Sequence, residues 1–564
     1  MNDHSAHMHN EPSSGHGASS EQPQPHDHPR QYFLPGKIIV HVYHPADRDP
    51  RVLADSIDRT VQDKKLGFPE IPGFEESLIK KVQPRNILTF PRRDDQGSTF
   101  SIVPVELKSN SQEHLITILQ HIYDRLNLIK ERFDPGDGVI WQSVSPNWLL
   151  GSAGHGKPHP PSPGSWPLAR KAPKEADWKF SLFEKDSNET HELPFATEKG
   201  ANVHVAILDT APCATDLDEA YETWHDQNKL IDQLLKPEPD RKLRLVTDIY
   251  AEIELLDCSL ARHRYWMADH GLFIAGEIAS IAPESTMIHL YKVFSSYGSA
   301  STLTLAQGLL RILTDLTDGE IGRPLIVNCS FGLAAPDPND LDFSVYFQDF
   351  PVTLRNSDIL EHMQTSLRAL FEELTNQDQV IVVAAAGDDS DPEKGRAPAR
   401  LPAAYDNVIG VGALPKGFPR ENGRYKAASY SNLADNPPDT GYMTLGGEPG
   451  PGKGILGLYT SEFPDFTGAG GKPPKDPKES TRDHLKYSPN EREDEGNVEW
   501  AGASFAAPII TGLVANWCSQ QPAKRADDPN EQAITVENVR LALNRMSQTI
   551  RASANERVIR VKQG

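Results

Sequence analysis

Three polar residues interrupt apolar runs of the sequence at positions where their side chains could act together. Asp209 ends the run VHVAILD, His270 opens the run HGLFIAGEIASIA, and Ser504 opens the run SFAAPIITGLVANW. A carboxylate that follows a buried strand is costly unless it is paired. A serine hydroxyl needs a base to take its proton, and histidine is the commonest such base. The three residue types therefore suit nucleophilic hydrolysis, although each alone is more often an ordinary cap of a strand or helix.

The surroundings of Ser504 favour a reactive position. Gly502, Ala503 and Ala506 are small and leave room for another molecule. Pro508 is expected near the first turn of the following helix, because proline is tolerated there. Ser504 is therefore predicted at or before the helix N-terminus, where the helix dipole favours negative charge.

A further acid, Asp388, follows the apolar run IVVAAAG. Such a run predicts a buried strand of a parallel sheet. Ligands of parallel sheets bind at the carboxyl ends of the strands. We therefore expect Asp388 at the same edge as the residues that could do chemistry.

The elements that must position these residues alternate along the chain from about residue 200. Apolar runs such as MIHLYKVF, PLIVNCSFG and NVIGVGAL are separated by helical patterns such as LTLAQGLLRILTDL. This alternation predicts an α/β fold with a doubly wound, mostly parallel sheet. Before it, KIIVHVYH, FSIVPVEL and VIWQSV indicate strands and SQEHLITILQHIYDRLNLI indicates a helix, which together predict a small α+β domain.

Composition shifts divide the chain into five predicted segments. They are a disordered His-rich tail over residues 1–30, the α+β domain over 31–150, a linker over 151–199, the catalytic domain over 200–525, and a C-terminal helix and tail over 526–564 that packs on the catalytic domain. The tail is expected to be solvated, because nothing fixes its six histidines in a metal-binding geometry.

Composition excludes several classes of function. The net charge of −22 over 564 residues argues against a nucleic-acid binder. The four cysteines show no CxxC spacing, which argues against a disulfide framework or a structural zinc site. The first residues lack an apolar core, and no stretch approaches the length of a membrane span. We therefore predict a cytoplasmic protein that binds neither nucleic acid nor membrane.

The chain order Asp209, His270, Ser504 resembles that of the subtilisin-like serine proteases. The resemblance extends over roughly residues 200–520 and includes APESTMIHLYKVF, NCSFG and LPAAYDNVIGVGAL. It implies a subtilisin-like fold and a serine endopeptidase, with Ser504 as nucleophile, His270 as general base and Asp209 as its orienting carboxylate. It also implies a polypeptide substrate bound as an added strand along Gly298, Ser330 and Gly332.

Several residues depart from the family pattern. The family usually has asparagine where Asp388 stands, and its amide donates a hydrogen bond to the oxyanion. It usually has glycine, a small hydroxyl residue and threonine where this chain has Ala211, Leu272 and Ala503. Asp388 could act as a protonated donor, the enzyme could be slow, or catalysis could be lost. The alternative to a protease is therefore a weak or inactive pseudoprotease that binds peptides or a partner as a scaffold.

The resemblance also bears on specificity and control. A pocket lined by residues 384–387 and 330–332 is expected to be apolar and to take a bulky residue before the cut. Residues 31–150 match the family's inhibitory propeptide in length and position, which would make the protein a zymogen with residues 145–175 as a pseudo-substrate. The alternative is a sensor domain for a regulatory partner. No cofactor is expected: calcium often binds this family, but no acidic loop here has a clear ligand spacing.

Overall fold

The architecture is that of a computed structural model. The structure describes residues 33–62, 80–90, 98–108, 138–152, 168–169, 179–193, 202–249, 269–295, 298–333, 364–390, 395–434, 441–460, 496–521, 534–552 and 556–563. The predicted tail over 1–30, the predicted helix SQEHLITILQHIYDRLNLI and most of the predicted linker lie outside the described residues. Residues Tyr32–Gly564 form one compact unit.

Twenty-two strands are found in the described residues. The first eleven are β1 (Phe33–Pro45), β2 (Leu88–Phe90), β3 (Ser98–Glu106), β4 (Ile140–Ser152), β5 (Leu168–Ala169), β6 (Phe180–Phe183), β7 (Thr190–Glu192), β8 (His204–Asp209), β9 (Leu243–Val246), β10 (Met287–Lys292) and β11 (Ser299–Ser301). The others are β12 (Leu325–Cys329), β13 (Phe331–Leu333), β14 (Val380–Ala385), β15 (Val408–Leu414), β16 (Arg420–Glu421), β17 (Arg424–Tyr425), β18 (Tyr442–Leu445), β19 (Ile455–Leu458), β20 (Asn497–Trp500), β21 (Arg557–Val558) and β22 (Val561–Gln563).

Eight α-helices are found in the same parts of the chain. They are α1 (Pro50–Gln62), α2 (Ala214–Trp224), α3 (Lys229–Leu235), α4 (His270–Ala279), α5 (Thr302–Thr317), α6 (Thr365–Thr375), α7 (Ala503–Ser519) and α8 (Val536–Met546). The side chains of two N-cap residues accept hydrogen bonds from N–H groups in the first turn of their helices, as N-cap residues commonly do. Ser301 accepts a hydrogen bond from the Thr304 N–H at the start of α5, and Thr535 does the same for Asn538 at the start of α8.

The central sheet has eight strands in the order β21-β18-β15-β14-β12-β8-β10-β9, and every neighbouring pair is parallel. Helices cover both faces of this sheet, so the predicted α/β doubly wound fold is confirmed. Strand β8 shows why residues 205–208 are all apolar. Ala206 and Leu208 lie in one buried cluster and Val205 and Ile207 in the other, because successive side chains of a strand point to opposite faces.

The N-terminal elements form a second, antiparallel sheet. Strand β1 lies between β3 and β4, with Val40 opposite both Val103 and Val144. This sheet shares one buried cluster with α5, α6 and one face of the central sheet. The Ser143 and Ser366 hydroxyls are 3.0 Å apart, and Asn147 Oδ1 accepts a hydrogen bond of 3.0 Å from the Leu303 N–H at the start of α5. The N-terminal strands therefore pack directly on the α/β part.

The segments nearest the C-terminus also join the central fold. Strand β22 pairs with β6, and β21 completes one edge of the central sheet. Glu556 is buried and accepts hydrogen bonds from the Arg396 guanidinium and from the Ala434 N–H. Within the described residues, no helix is both long and apolar enough to span a bilayer.

Candidate active site

Asp209 and His270 form a hydrogen-bonded pair at the carboxyl edge of the central sheet. His270 Nδ1 lies 2.8 Å from Asp209 Oδ1, and both side chains are 2% exposed. Asp209 Oδ1 also accepts a hydrogen bond of 2.7 Å from the Thr210 N–H. A Cβ at Gly271 would lie 2.2 Å from the Thr210 carbonyl oxygen. Only glycine at position 271 therefore allows α4 to approach β8 closely enough to form the pair.

Ser504 lies in the first turn of α7, since this helix begins at Ala503. Its hydroxyl donates to the Ser330 carbonyl at 3.1 Å, and the Ser330 hydroxyl donates to the Ser504 carbonyl at 2.8 Å. Pro508 is the sixth helical residue and lies in the second turn of α7, so Ser504 is the second residue of the helix rather than a residue before it. Proline has no N–H, so the Ser504 carbonyl lacks its helical donor four residues later, and the Ser330 hydroxyl takes that place.

Aromatic side chains join the serine segment to the histidine. The ring of His270 lies 5.3 Å from that of Trp500 and 5.3 Å from that of Phe505, centroid to centroid. Phe505 directly follows Ser504, and helices α4 and α7 pack against each other. The structure therefore brings Asp209, His270 and Ser504 to the same edge of the sheet.

Asp388 lies beside the backbone that leads to Ser504. Its Oδ1 accepts a hydrogen bond of 2.8 Å from the Ala503 N–H, and a Cβ at Gly502 would lie 3.0 Å from its Oδ2. The residue keeps some exposed surface, but protein surrounds its carboxyl group. This desolvation raises the pKa of Asp388 well above its usual range, the negative charge of Asp389 adds to the rise, and the Ala503 hydrogen bond opposes it.

Asp389 points to a different set of partners. Its Oδ2 accepts hydrogen bonds of 2.6 Å from Arg400 Nε and 2.9 Å from Asn432 Nδ2. The stem of Arg400 lies between two glycines: a Cβ at Gly332 would be 2.8 Å from Arg400 Cβ, and one at Gly387 would be 2.8 Å from its Cγ. The Arg400 stem therefore lies between Gly332 and Gly387, where the sequence predicted an apolar pocket, and its guanidinium pairs with Asp389. The apolar character of that pocket stays a prediction.

Strand β4 occupies the channel where an extended substrate was expected. It pairs antiparallel with β11 on one side, Gly151 facing Ser299, and with β13 on the other, Gly151 facing Gly332. Gly298 directly precedes β11 and has a φ of +71°, which glycine adopts without strain. The described part of the predicted pseudo-substrate thus lies in this channel up to Ser152, and its continuation over 153–167 lies outside the described residues.

Two features of this region have no signal in the sequence. Arg400 reaches Asp389 across eleven positions, and the Asp269 carboxylate accepts hydrogen bonds from both the N–H and the hydroxyl of Thr460. Neither contact follows a spacing or motif that would reveal it. Among the described residues, no group of three or more His, Cys, Asp or Glu side chains is placed to hold a metal ion.

Comparisons with known proteins give a family match and several similar solved structures. The model of the subtilase family matches residues 200–561. Solved structures similar to this chain include a cold adapted subtilisin-like serine proteinase (14% identity, 66% of this chain and 92% of that chain, TM-score 0.35). Another is the epidermin leader peptide processing serine protease from Staphylococcus aureus (12% identity, 90% and 99%, TM-score 0.36). No curated protein matches the chain in sequence.

Proposed function

Because this chain belongs to the subtilase family, we propose that it is a serine endopeptidase that uses Asp209, His270 and Ser504. The observation that carries the proposal is the buried hydrogen bond of 2.8 Å between His270 Nδ1 and Asp209 Oδ1, next to the helix that bears Ser504. A histidine held in this way presents its Nε2 as the base, while the carboxylate stabilises the imidazolium that forms.

The proposed reaction follows from these positions. Ser504 Oγ attacks the carbonyl carbon of the substrate while its proton passes to His270 Nε2. The tetrahedral intermediate collapses, and His270 returns that proton to the leaving amine. A water molecule then attacks the acyl carbon while His270 takes one of its protons. The second tetrahedral intermediate collapses as its bond to Ser504 Oγ breaks and His270 returns that proton to Ser504 Oγ, which releases the carboxylic acid product and restores the enzyme. Acid, base and nucleophile all come from the chain, so we propose that no cofactor is needed.

Asp388 is proposed as a donor to the developing oxyanion. A carboxylic acid with a raised pKa can stay neutral and donate a hydrogen bond, whereas its ionised form would repel the oxyanion. The desolvated carboxyl group beside Gly502 and the Ala503 N–H supports this role. The Ser504 N–H would be the second donor.

The N-terminal strands are proposed to inhibit the enzyme as a propeptide does. Strand β4 is paired with β11 up to Gly151 and with β13 up to Ser152, in the channel proposed for polypeptide substrates along Gly298, Ser330 and Gly332. A substrate would bind in that same channel, so β4 would block substrate binding for as long as it stays paired there. A sensor domain for a regulatory partner remains the alternative for these residues, and the cytoplasm remains a prediction from the sequence.

The second candidate function is a pseudoprotease scaffold. The observation that favours it is the bond between Asp388 and the Ala503 N–H, because an ionised Asp388 there would oppose oxyanion formation. The pairing of β4 with β11 and β13 is compatible with a protein that only holds an extended peptide.

A fluorophosphonate probe separates the two functions, since it labels only an activated serine. We expect labelling of the wild-type chain, no labelling of Ser504→Ala, and labelling slowed by about 10⁴-fold in Asp209→Asn, where the histidine is held in the wrong tautomer. Probe attachment is located by peptide mass spectrometry. Wild-type protein that stays unlabelled after long incubation, with or without its N-terminal residues, would establish the scaffold instead.

A further inference from the structure

Three consecutive residues at the start of α4 are tied to different parts of the fold. His270 is bonded to Asp209, as described above. The Gly271 N–H donates to the Thr210 hydroxyl at 3.2 Å. Asp269, on the other side of the histidine, accepts hydrogen bonds from the N–H and the hydroxyl of Thr460, the latter at 2.9 Å. Hydrogen bonds made by Asp269 and Gly271 thus fix the backbone on both sides of His270.

The Asp269 side chain does not cap α4, although Asp269 occupies the N-cap position of this helix. Asp269 is the N-cap of α4, and its carbonyl accepts the first helical bond from the Phe273 N–H at 2.8 Å. An aspartate at an N-cap ordinarily accepts from the next backbone N–H groups with its side chain. Here the side chain makes no such bond, and its carboxylate is directed to Thr460. The hydrogen bonds of the Asp269 carboxylate therefore join the start of α4 to the residue segment that follows β19, and they do not satisfy the N–H groups of α4.

Thr460 follows β19, and β19 pairs antiparallel with β20, which leads to Ser504. Tyr459 packs its ring 6.2 Å from Trp500, and the Trp500 ring lies against His270. Asp269 is therefore bonded to Thr460, the neighbouring Tyr459 packs on Trp500, and Trp500 packs on His270, which directly follows Asp269. Asp269, Thr460 and Tyr459 are all buried, as is Trp500.

We propose that Asp269 is a positioning residue of the reaction. By holding Thr460 it fixes the start of α4 against the β19–β20 pair, and so sets the distance and angle between His270 and Ser504. This inference rests on the proposed function. A displacement of about 1 Å between reacting groups can cost about 100-fold in rate, so a contact that does not touch substrate can still control the rate.

The test compares four variants of the full chain, all at a temperature where circular dichroism shows them folded. Asp269→Ala removes the acceptor, and Thr460→Val removes the hydroxyl donor while keeping the shape. Asp269→Asn retains an acceptor without the charge, and Thr460→Ser retains both donors, so these two are the matched controls. We expect Asp269→Ala to lower kcat by about 10- to 100-fold with KM unchanged, because the substrate channel is intact. Thr460→Val should lower kcat by less, and the controls should stay within about threefold.

A second readout follows the contact itself. Hydrogen exchange measured by mass spectrometry should accelerate in peptides that cover 269–275 and 456–460 in Asp269→Ala but not in Thr460→Ser. This readout works even in a chain that the fluorophosphonate probe does not label, a result that would refute the proposed function alone. Unchanged exchange, or unchanged kcat in a labelled enzyme, would overturn the positioning role. Equal loss in Asp269→Asn and Asp269→Ala would also overturn it, since the charge and not the bond would then matter.

Discussion

The Ser330 hydroxyl donates a hydrogen bond of 2.8 Å to the Ser504 carbonyl. In an uninterrupted helix this carbonyl would accept from the residue four positions later, which here is Pro508. Proline removes that donor, so the segment that follows β12 supplies another from outside the helix. The backbone that carries the proposed nucleophile is thereby attached to the proposed substrate-binding segment through a buried hydroxyl group.

Ser330→Ala is expected to leave the buried Ser504 carbonyl without this donor. An unsatisfied buried acceptor costs about 1–3 kcal/mol, so the free energy of unfolding, measured by urea denaturation, should fall by that amount. Because the affected backbone carries Ser504, the rate of fluorophosphonate labelling should fall as well.

Pro508→Ala provides the control for this interpretation, because alanine at 508 restores an N–H that can reach the Ser504 carbonyl. Ser330→Ala combined with Pro508→Ala should lose less stability than Ser330→Ala alone, which is a positive coupling in a double-mutant cycle. Strictly additive losses would show that the Ser330 hydroxyl does not replace the helical donor.

The pH dependence of the reaction tests the role of Asp388. Its pKa is raised chiefly by desolvation, so the carboxyl group keeps its proton, and can donate, up to a higher pH than an ordinary aspartate. It loses the proton as pH rises through the raised pKa, and the ionised form repels the oxyanion. We therefore expect kcat/KM of the wild-type enzyme to fall on the alkaline side, measured with a peptide substrate over a range of pH.

Asp388→Asn keeps a donor at every pH, so the alkaline fall should disappear in this variant. Asp388→Ala removes the donor and should lower kcat by about 100- to 1,000-fold near the pH optimum. A pH–rate profile of Asp388→Asn that matches the wild type in both height and position would exclude Asp388 from the oxyanion site.

The fate of the N-terminal residues tests the proposed inhibition by β4. Wild-type protein should cut itself shortly after Ser152, where the pairing of β4 with β13 ends among the described residues, and Ser504→Ala should keep its full length. Intact mass spectrometry of both proteins measures this difference. An active wild-type enzyme of full length would favour the sensor role for residues 31–150.

Gly151→Pro tests the same contact without cleavage. Gly151 pairs with β11 and β13 at once, and proline is poorly tolerated in a strand that is paired on both sides. In the full chain this variant should therefore react faster with the fluorophosphonate probe. Ser152→Ala, which keeps the backbone donors, is the control and should react like the wild type.

The sequence predicted the α/β fold because the strands β8, β14 and β15 contain continuous apolar runs, which in β8 cover residues 205–208. The resemblance carried by the chain order of Asp209, His270 and Ser504 also implied that Asp209 and His270 would meet. It could not predict the partners of Asp269 and Arg400. The contact of Asp269 with Thr460 joins residues 191 positions apart, and both contacts depend on side-chain directions that hydrophobic periodicity does not specify.

Arg400 gives the last prediction, which concerns specificity and the pocket predicted between residues 330–332 and 384–387. Its stem lies between Gly332 and Gly387, so the space beside the proposed substrate strand is limited by a charged side chain. We expect the wild-type enzyme to prefer a small residue before the cut over a large aromatic one. Arg400→Ala should raise kcat/KM for a peptide with phenylalanine there by about 10-fold relative to one with alanine.

The loss of Arg400 also leaves Asp389 without an ion-pair partner at 2.6 Å, which could disturb the neighbouring Asp388. Asp389→Asn combined with Arg400→Ala removes the unpaired charge, and Asp389→Asn alone is the matched control. If the size of the side chain at 400 determines the preference, both variants that lack Arg400 should accept phenylalanine, while the control keeps the wild-type preference. The same preference in all four enzymes would mean that the residue before the cut does not enter the space between Gly332 and Gly387.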